Sequence, residues 1–163
     1  MTEVAPTISL VICTYNREKF LPACLQSLAG QTLAPRRFEI IIVDNNSTDR
    51  TAAISSAFIE AHPAFSIRYV LEPRQGLSYA RNRGIAEARA QWVTFIDDDA
   101  EAEPDFLEQL HDYVVAHPDI AGLGGKVLPK FEGEEPPWLN PFLNMMVSGV
   151  DHGERPFKAR GKK

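Results

Sequence analysis

The chain has 163 residues, 44% of them hydrophobic and 24% charged, with a formal net charge of −5. That length suits a single domain, or part of a larger one, whose core hides about 70% of the unfolded surface without help from a disulfide or structural metal. The acidic balance argues against a nucleic-acid platform, no apolar run approaches the ~20 residues of a membrane span, and Cys13 and Cys24 match neither a disulfide framework nor a zinc knuckle.

The N-terminal MTEVAPTISLVIC lacks the basic segment and long apolar run of a signal peptide, which points to a reducing cytoplasm. Ile8 to Cys13 reads as a buried strand, after which Phe20, Cys24, Leu25 and Leu28 recur at helical spacing. Glu39 to Val43 predicts a second strand. Ser47 or Thr48 then caps a helix whose face is Ala52, Ala53, Ala57 and Phe58, ending before His62 and Pro63. Ile67 to Leu71 is a third strand, followed by a helix over Leu77 to Ala90 with Leu77, Ala80, Gly84, Ile85 and Ala88 on one stripe. Trp92 to Ile96 is the fourth strand. Pro104 suits the first position of a helix through Phe106, Leu107, Leu110, Tyr113 and Val114, and Gly124 to Leu128 is expected as a fifth strand. From Pro129 the period is lost, and Pro136, Pro137 and Pro141 mark loop with a short helix or strand. The expected division is a βα region over 1–128 and a Pro-rich segment over 129–163.

Alternating strands and helices with doubly buried runs predict an α/β fold, a mainly parallel sheet flanked by helices. Such sheets bind ligands beyond the carboxyl ends of their strands. Four polar clusters fall there: Thr14-Tyr15-Asn16-Arg17, Asp44-Asn45-Asn46-Ser47, Glu72-Pro73-Arg74-Gln75-Gly76 and Asp97-Asp98-Asp99. The last is the sharpest signal. Neighbouring like charges repel by about 1 kcal/mol per pair in water and by more at lower dielectric, so the triad calls for a counter-ion.

Mg²⁺ and Mn²⁺ typically take one or two protein carboxylates, with phosphates and water completing the octahedron. Along an extended backbone Asp97 and Asp99 point one way and Asp98 the other. One face then holds a metal, or a metal and a sugar hydroxyl; the alternative is an acidic turn capping the next helix. Asp44 either closes an Asx-turn or accepts a hydrogen bond from a base N–H, and Tyr15 either stacks on a nucleobase or packs. Arg81 is placed to reach a diphosphate, and Arg83 to sit in solvent. GLGGK at Gly122 to Lys126 precedes a strand rather than opening a helix, which sets it apart from a phosphate loop. His62, His111, His117 and His152 lack metal-ligand spacing, and there is neither a nucleophile elbow nor a cysteine set beside a base.

In this order and spacing, SLVICTYNREKFLPACLQSL, EIIIVDNNSTDRT, GLSYARNRGIAEA and FIDDDAEAEPDFL resemble the donor half of a family-2 glycosyltransferase of GT-A fold, from about Ile8 to Leu128. The later GGKVLPKFEGEEPPWL is similar to the continuation of that pattern in one bacterial subgroup. The resemblance implies a Rossmann-like nucleotide-diphospho-sugar transferase fold, a nucleotide-sugar donor (usually UDP-linked), a carbohydrate or lipid-linked acceptor, and Mn²⁺ or Mg²⁺. It also implies a role in polysaccharide biosynthesis, in the cytoplasm or at the inner face of the membrane. By the same resemblance Thr14, Tyr15 and Arg17 belong to the donor pocket, with Tyr15 near the base. Asp44 reads the base, usually uracil, and Arg81 lies near the diphosphate. Asp97 turns towards ribose and metal, Asp99 is the principal metal ligand, and Asp98 takes the variable middle position of the DXD motif. The implied reaction is glycosyl transfer to a hydroxyl, usually with inversion, the metal acting as Lewis acid and template.

The family pattern continues into an acceptor half that carries an acidic base. Here 64 residues follow Asp99, and Glu134 and Glu135 lie outside that motif's context. The base is therefore expected beyond the chain end, and the chain is expected to be a truncated piece. A fragment that binds nucleotide and metal without turnover is the competing expectation. A phosphohydrolase of the DxDx(T/V) type would carry that motif on its first strand, and Glu101 occupies its Thr/Val position here. A receiver-type signalling domain would need an acidic pair where Thr14 and Tyr15 stand.

Overall fold

The apolar runs become strands. In the computed structural model, which describes residues 5–131, 133–139, 143, 150, 151 and 153, β1 (Ile8–Thr14), β2 (Phe38–Asp44), β3 (Ser66–Leu71) and β4 (Trp92–Asp97) pair in the order β3-β2-β1-β4. Every pairing is parallel. The helices are α1 (Leu21–Ala29), α2 (Thr51–Ala61), α3 (Leu77–Glu87) and α4 (Phe106–Ala116), with a 3-10 turn at Pro35–Arg37. Two compact units result: Met1–Pro118, which holds all these elements, and Asp119–Lys163.

β1 and β2 are covered on both faces, which is why they read as unbroken apolar runs rather than alternating ones. Ile8, Leu10 and Ile12 face Leu21, Cys24, Leu25 and Leu28 of α1 and Leu107 of α4. Val11, Ile41 and Val43 face the other way, onto Ala80 of α3. Helix α3 lies close to the sheet: a Cβ built on Gly84 would stand 2.4 Å from Val11 Cγ1. The chain lays β2 and β3 to one side of β1, then crosses back to place β4 on the other. That reversal opens a crevice between the carboxyl ends of β1 and β4.

Several local expectations are corrected. Helix α2 starts at Thr51, where Asp49 Oδ1 accepts the Thr51 amide, while Ser47 and Thr48 bond instead to Asn16 of the β1 loop. Its inner face is Thr51, Ser55, Ile54 and Phe58, and Ala52, Ala53 and Ala57 are exposed. The buried Ser55 hydroxyl donates to Thr51 O, so a polar residue can turn inward at no loss of hydrogen bonding. Helix α3 stops at Glu87, not Ala90, because the next amides are drawn elsewhere: Arg89 N to Glu39 Oε1 and Ala90 N to Ser9 Oγ. On its stripe only Ala80 and Gly84 are buried, with Leu77 and Ile85 each 52% exposed. Pro104 sits in the turn before α4, and the buried Gln31 side chain accepts the Leu107 amide, a cap supplied from the end of α1.

In the second unit, the expected strand over Gly124 to Leu128 is a single antiparallel bridge between Val127 and Val150, with Lys126 paired to Asp151. These residues are exposed, and among the described residues no neighbouring strand offers further partners. His62 and His117 sit at the C-caps of α2 and α4, His62 tilted against Phe58 and His117 stacked on Tyr113. His152 lies outside the described residues.

Candidate functional site

The strand-end loops are tied to one another. After β1, Asn16 takes a left-handed backbone (φ 53°), which asparagine tolerates better than most residues. Its amide donates to Ser47 Oγ, and its side-chain oxygen accepts the Thr48 amide at 2.8 Å. Glu18 and Arg50 extend the clasp: Glu18 N donates to Asp49 Oδ2, and Arg50 N to Glu18 Oε2. Asn45, buried at the end of β2, holds the third loop. Its amide group donates to Glu72 O at 3.0 Å and Arg74 O at 2.6 Å, and its oxygen accepts Gly76 N at 2.7 Å. Gly76 has φ 135°, a conformation suited to glycine, and from it α3 starts at the rim.

A cleft of about 410 Å³ lies along this rim, lined by Thr14, Tyr15, Arg17, Asp97, Asp98 and Asp99 together with Cys13, Asn45, Gln75, Gly76, Leu77 and Ala80. The first six were legible as site candidates. Of the others, Asn45, Gln75 and Gly76 stand in the polar clusters, but their part in shaping the wall depends on contacts between loops. Cys13, Leu77 and Ala80 carry no sequence signal that separates them from core residues.

Asp98 turns inward, its side chain 9% exposed, whereas Asp97 and Asp99 are 77% and 48% exposed. The alternation expected of an extended strand end is present. Burial raises the Asp98 pKa; the Thr14 hydroxyl and Arg17 oppose that shift, and the charges of Asp99 and Asp97 add to it. The counter-ions come from the chain itself. Arg17 Nε stands 3.5 Å from Asp98 Oδ1 and its Nη2 3.7 Å from Asp99 Oδ2. Arg81 reaches to 4.0 Å from Asp97 and lies over the Phe95 ring.

Asp44 and Arg81 are not among the residues lining the cleft. Asp44 is buried, with Oδ1 accepting the Ser47 amide at 2.8 Å and Oδ2 accepting the Tyr69 hydroxyl at 2.6 Å. The turn-closing role weighed from the sequence is thus in place, and Tyr69 is a partner the sequence did not reveal. Cys13 is poorly suited to act as a nucleophile, because burial pushes its thiol up to about 11, with Arg81 pulling the other way.

Among the described residues no three His, Cys, Asp or Glu side chains form a metal-ligand group. Asp97 and Asp99 nevertheless suit a hard divalent ion, which needs only one or two carboxylates when phosphate oxygens and water complete its shell. Beside them Thr14 Oγ1 is buried at the cleft floor next to Asp98, without a hydrogen bond of ordinary geometry. No helix among the described residues is long and apolar enough to cross a membrane.

Known proteins resemble this chain in sequence and in fold. A glucosyl-dolichyl phosphate glucuronosyltransferase of Haloferax volcanii is 30% identical over 148 residues, 90% of this chain and 46% of that protein. TarS 1-349 of S. aureus in complex with UDP superposes with a TM-score of 0.62 at 26% identity, covering 76% of this chain and 38% of that one. The mannosyltransferase PcManGT of Pyrobaculum calidifontis, in complex with GDP-Man and Mn²⁺, gives 0.57 at 27% identity, covering 60% of this chain and 29% of the other. The chain spans less than half the length of these relatives. The fold is that of the GT-A glycosyltransferases. The sequence model of glycosyl transferase family 2 matches residues 9–157, and the chain belongs to that family.

Proposed function

We propose that this chain forms the donor side of an enzyme that moves a glycosyl group from a UDP-linked sugar to an acceptor hydroxyl, with a divalent metal and with inversion at the anomeric carbon. The observation that carries the reading is a charge pattern: three carboxylates and Arg17 line the cleft where β1 and β4 diverge, and Arg81 stands 4.0 Å from Asp97. The UDP complex of TarS and the GDP-Man and Mn²⁺ complex of PcManGT support a nucleotide-sugar donor and a divalent ion.

In this reading Tyr15, half exposed on the cleft wall, stacks on the base. Asp44 reads the base edge with the lone pair left on each oxygen after Ser47 and Tyr69 have donated. Asp97 and Asp99 hold the metal, and Thr14 and Asp98 form the floor beneath them. When bound, the ion neutralises charge growing on the departing diphosphate. Arg17 and Arg81 add guanidinium groups suited to phosphate oxygens. The loop clasp fixes these groups before substrate arrives, which spares reorganisation during the reaction.

A second reading, binding without turnover, is favoured by one observation. The carboxylates among the described lining residues are the three aspartates, so no separate base faces the cleft from them. Loss of a general base commonly costs about 10²–10⁴-fold in rate. Thermal shifts across a panel of UDP-, GDP- and TDP-sugars with Mn²⁺ test the donor: a UDP-sugar should raise the melting temperature most, and a flat panel would sink the reading. Nucleoside diphosphate release from the preferred donor then separates transfer from binding alone.

A further inference from the structure

The two arginine–aspartate contacts of the cleft floor are loose. Arg17 meets Asp98 and Asp99 at 3.5 and 3.7 Å, and neither approach is a hydrogen bond of ordinary N–H···O length. The Arg17 side chain is 43% exposed and its guanidinium rests 5.6 Å over the Phe20 ring, so it is held at the rim by contacts it can leave. Arg81 stands at 4.0 Å from Asp97. The three carboxylates with Arg17 and Arg81 beside them form a cluster of one net negative charge. A divalent ion alone would turn it positive, and the two phosphate charges of a nucleotide-sugar would return it to its starting value.

We propose that Arg17, anchored beside Asp98, is a resident counter-ion that stands in for the metal on Asp99 and passes to the diphosphate when the metal arrives, so that metal and nucleotide bind cooperatively. The proposal rests on the donor-and-metal reading above and assigns to Arg17 the coupling between the two ligands. While the guanidinium stands beside Asp99, it repels an incoming cation. Once a diphosphate is present, the same group has an anionic partner of matching geometry. By linkage, whatever nucleotide does for the metal, the metal does for nucleotide.

The signs separate this role from a structural one. A unit charge about 4 Å from another shifts an equilibrium roughly fivefold in bulk water, and a divalent ion feels about the square of that. Arg17→Gln should therefore bind Mn²⁺ alone about five- to thirtyfold more tightly than the parent. It should bind UDP in the presence of Mn²⁺ more weakly, and lose most of the enhancement of Mn²⁺ affinity by UDP. Arg17→Lys, which keeps the charge, should stay near the parent for Mn²⁺ alone. Free Mn²⁺ is read from its electron paramagnetic resonance signal, with and without UDP, for the parent, both Arg17 variants and Asp99→Asn. Mn²⁺ binding that is lost in Asp99→Asn but unmoved or weakened in Arg17→Gln overturns this proposal and leaves the metal site standing. Absence of Mn²⁺ binding in the parent and Arg17→Gln alike overturns the metal reading and this inference together.

Discussion

Gly84 offers a test of how tightly α3 seats the cleft wall on the sheet. In Gly84→Ala the new methyl would lie 2.4 Å from Val11 Cγ1, 3.2 Å from Cγ2 and 3.4 Å from Cβ. Carbon atoms rest at about 3.5–4.0 Å, so the first contact is short by more than 1 Å. Val11 is fully buried and branched at Cβ, which denies it an easy rotamer escape. Overpacking costs about 1–3 kcal/mol, and a contact this short belongs at the upper end, about 2–3 kcal/mol. Against it stands the gain from removing glycine from a helix interior, about 1 kcal/mol at most. The clash wins, and urea unfolding should show a net loss of about 1–2 kcal/mol. Val11→Ala removes the offending methyls, so the double variant should recover about 1 kcal/mol relative to the sum of the singles. A Gly84→Ala protein as stable as the parent, or more so, would refute the close approach of α3 to β1.

The geometry sets three further outcomes. Glu39 is buried and accepts bonds from Ser9 Oγ, Arg89 N and Arg68; burial would raise its pKa, but those donors outweigh it and hold the carboxyl below its usual value. Its contribution is thus complete above the ordinary carboxylate range and lost as pH falls through the lower folded value. Arg68 keeps Glu87 as a partner, so Glu39→Gln should cost about 1–3 kcal/mol near pH 7 and progressively less in acid, and a difference that does not change with pH in urea titrations would contradict this. Asn45→Ala removes three hydrogen bonds and leaves Gly76 N without its partner, so stability should drop by about 2–3 kcal/mol, and thermal unfolding no earlier than in the parent would contradict the loop-pinning role. With Cys13 and Cys24 pushed up by burial to about 11 and about 12, iodoacetamide at pH 7.5 should label the native chain roughly a hundredfold more slowly than free cysteine, and labelling at the free rate would show the β1 end to be open.

The sheet was legible because β1 and β2 are covered on both sides, so burial left its mark as continuous Val/Ile/Leu runs. Asp97 to Asp99 was legible for the opposite reason: like charges at the end of such a run have no place in an ordinary turn. The misreadings share one cause, contacts between segments distant in sequence. Helix α3 ends at Glu87 because Glu39 and Ser9 claim the following amides, and α4 is capped by Gln31 from just past the end of α1. The inner face of α2 carries Thr51 and Ser55, whose polarity disguises them, while its alanines look inward-facing only by hydropathy. In the site, Asn45 and Tyr69 act by holding other residues in place, and no local pattern announces such a role.

The central claim is that a divalent ion and a nucleoside diphosphate meet at the carboxyl end of β4. Calorimetric titration of UDP into the chain, with Mn²⁺ and again with a chelator, tests it directly when repeated on Asp99→Ala. The account predicts affinity at least tenfold higher with Mn²⁺ than without, and a metal-independent residue of binding in Asp99→Ala. Equal affinity under both conditions, or an undiminished metal effect in Asp99→Ala, would contradict it.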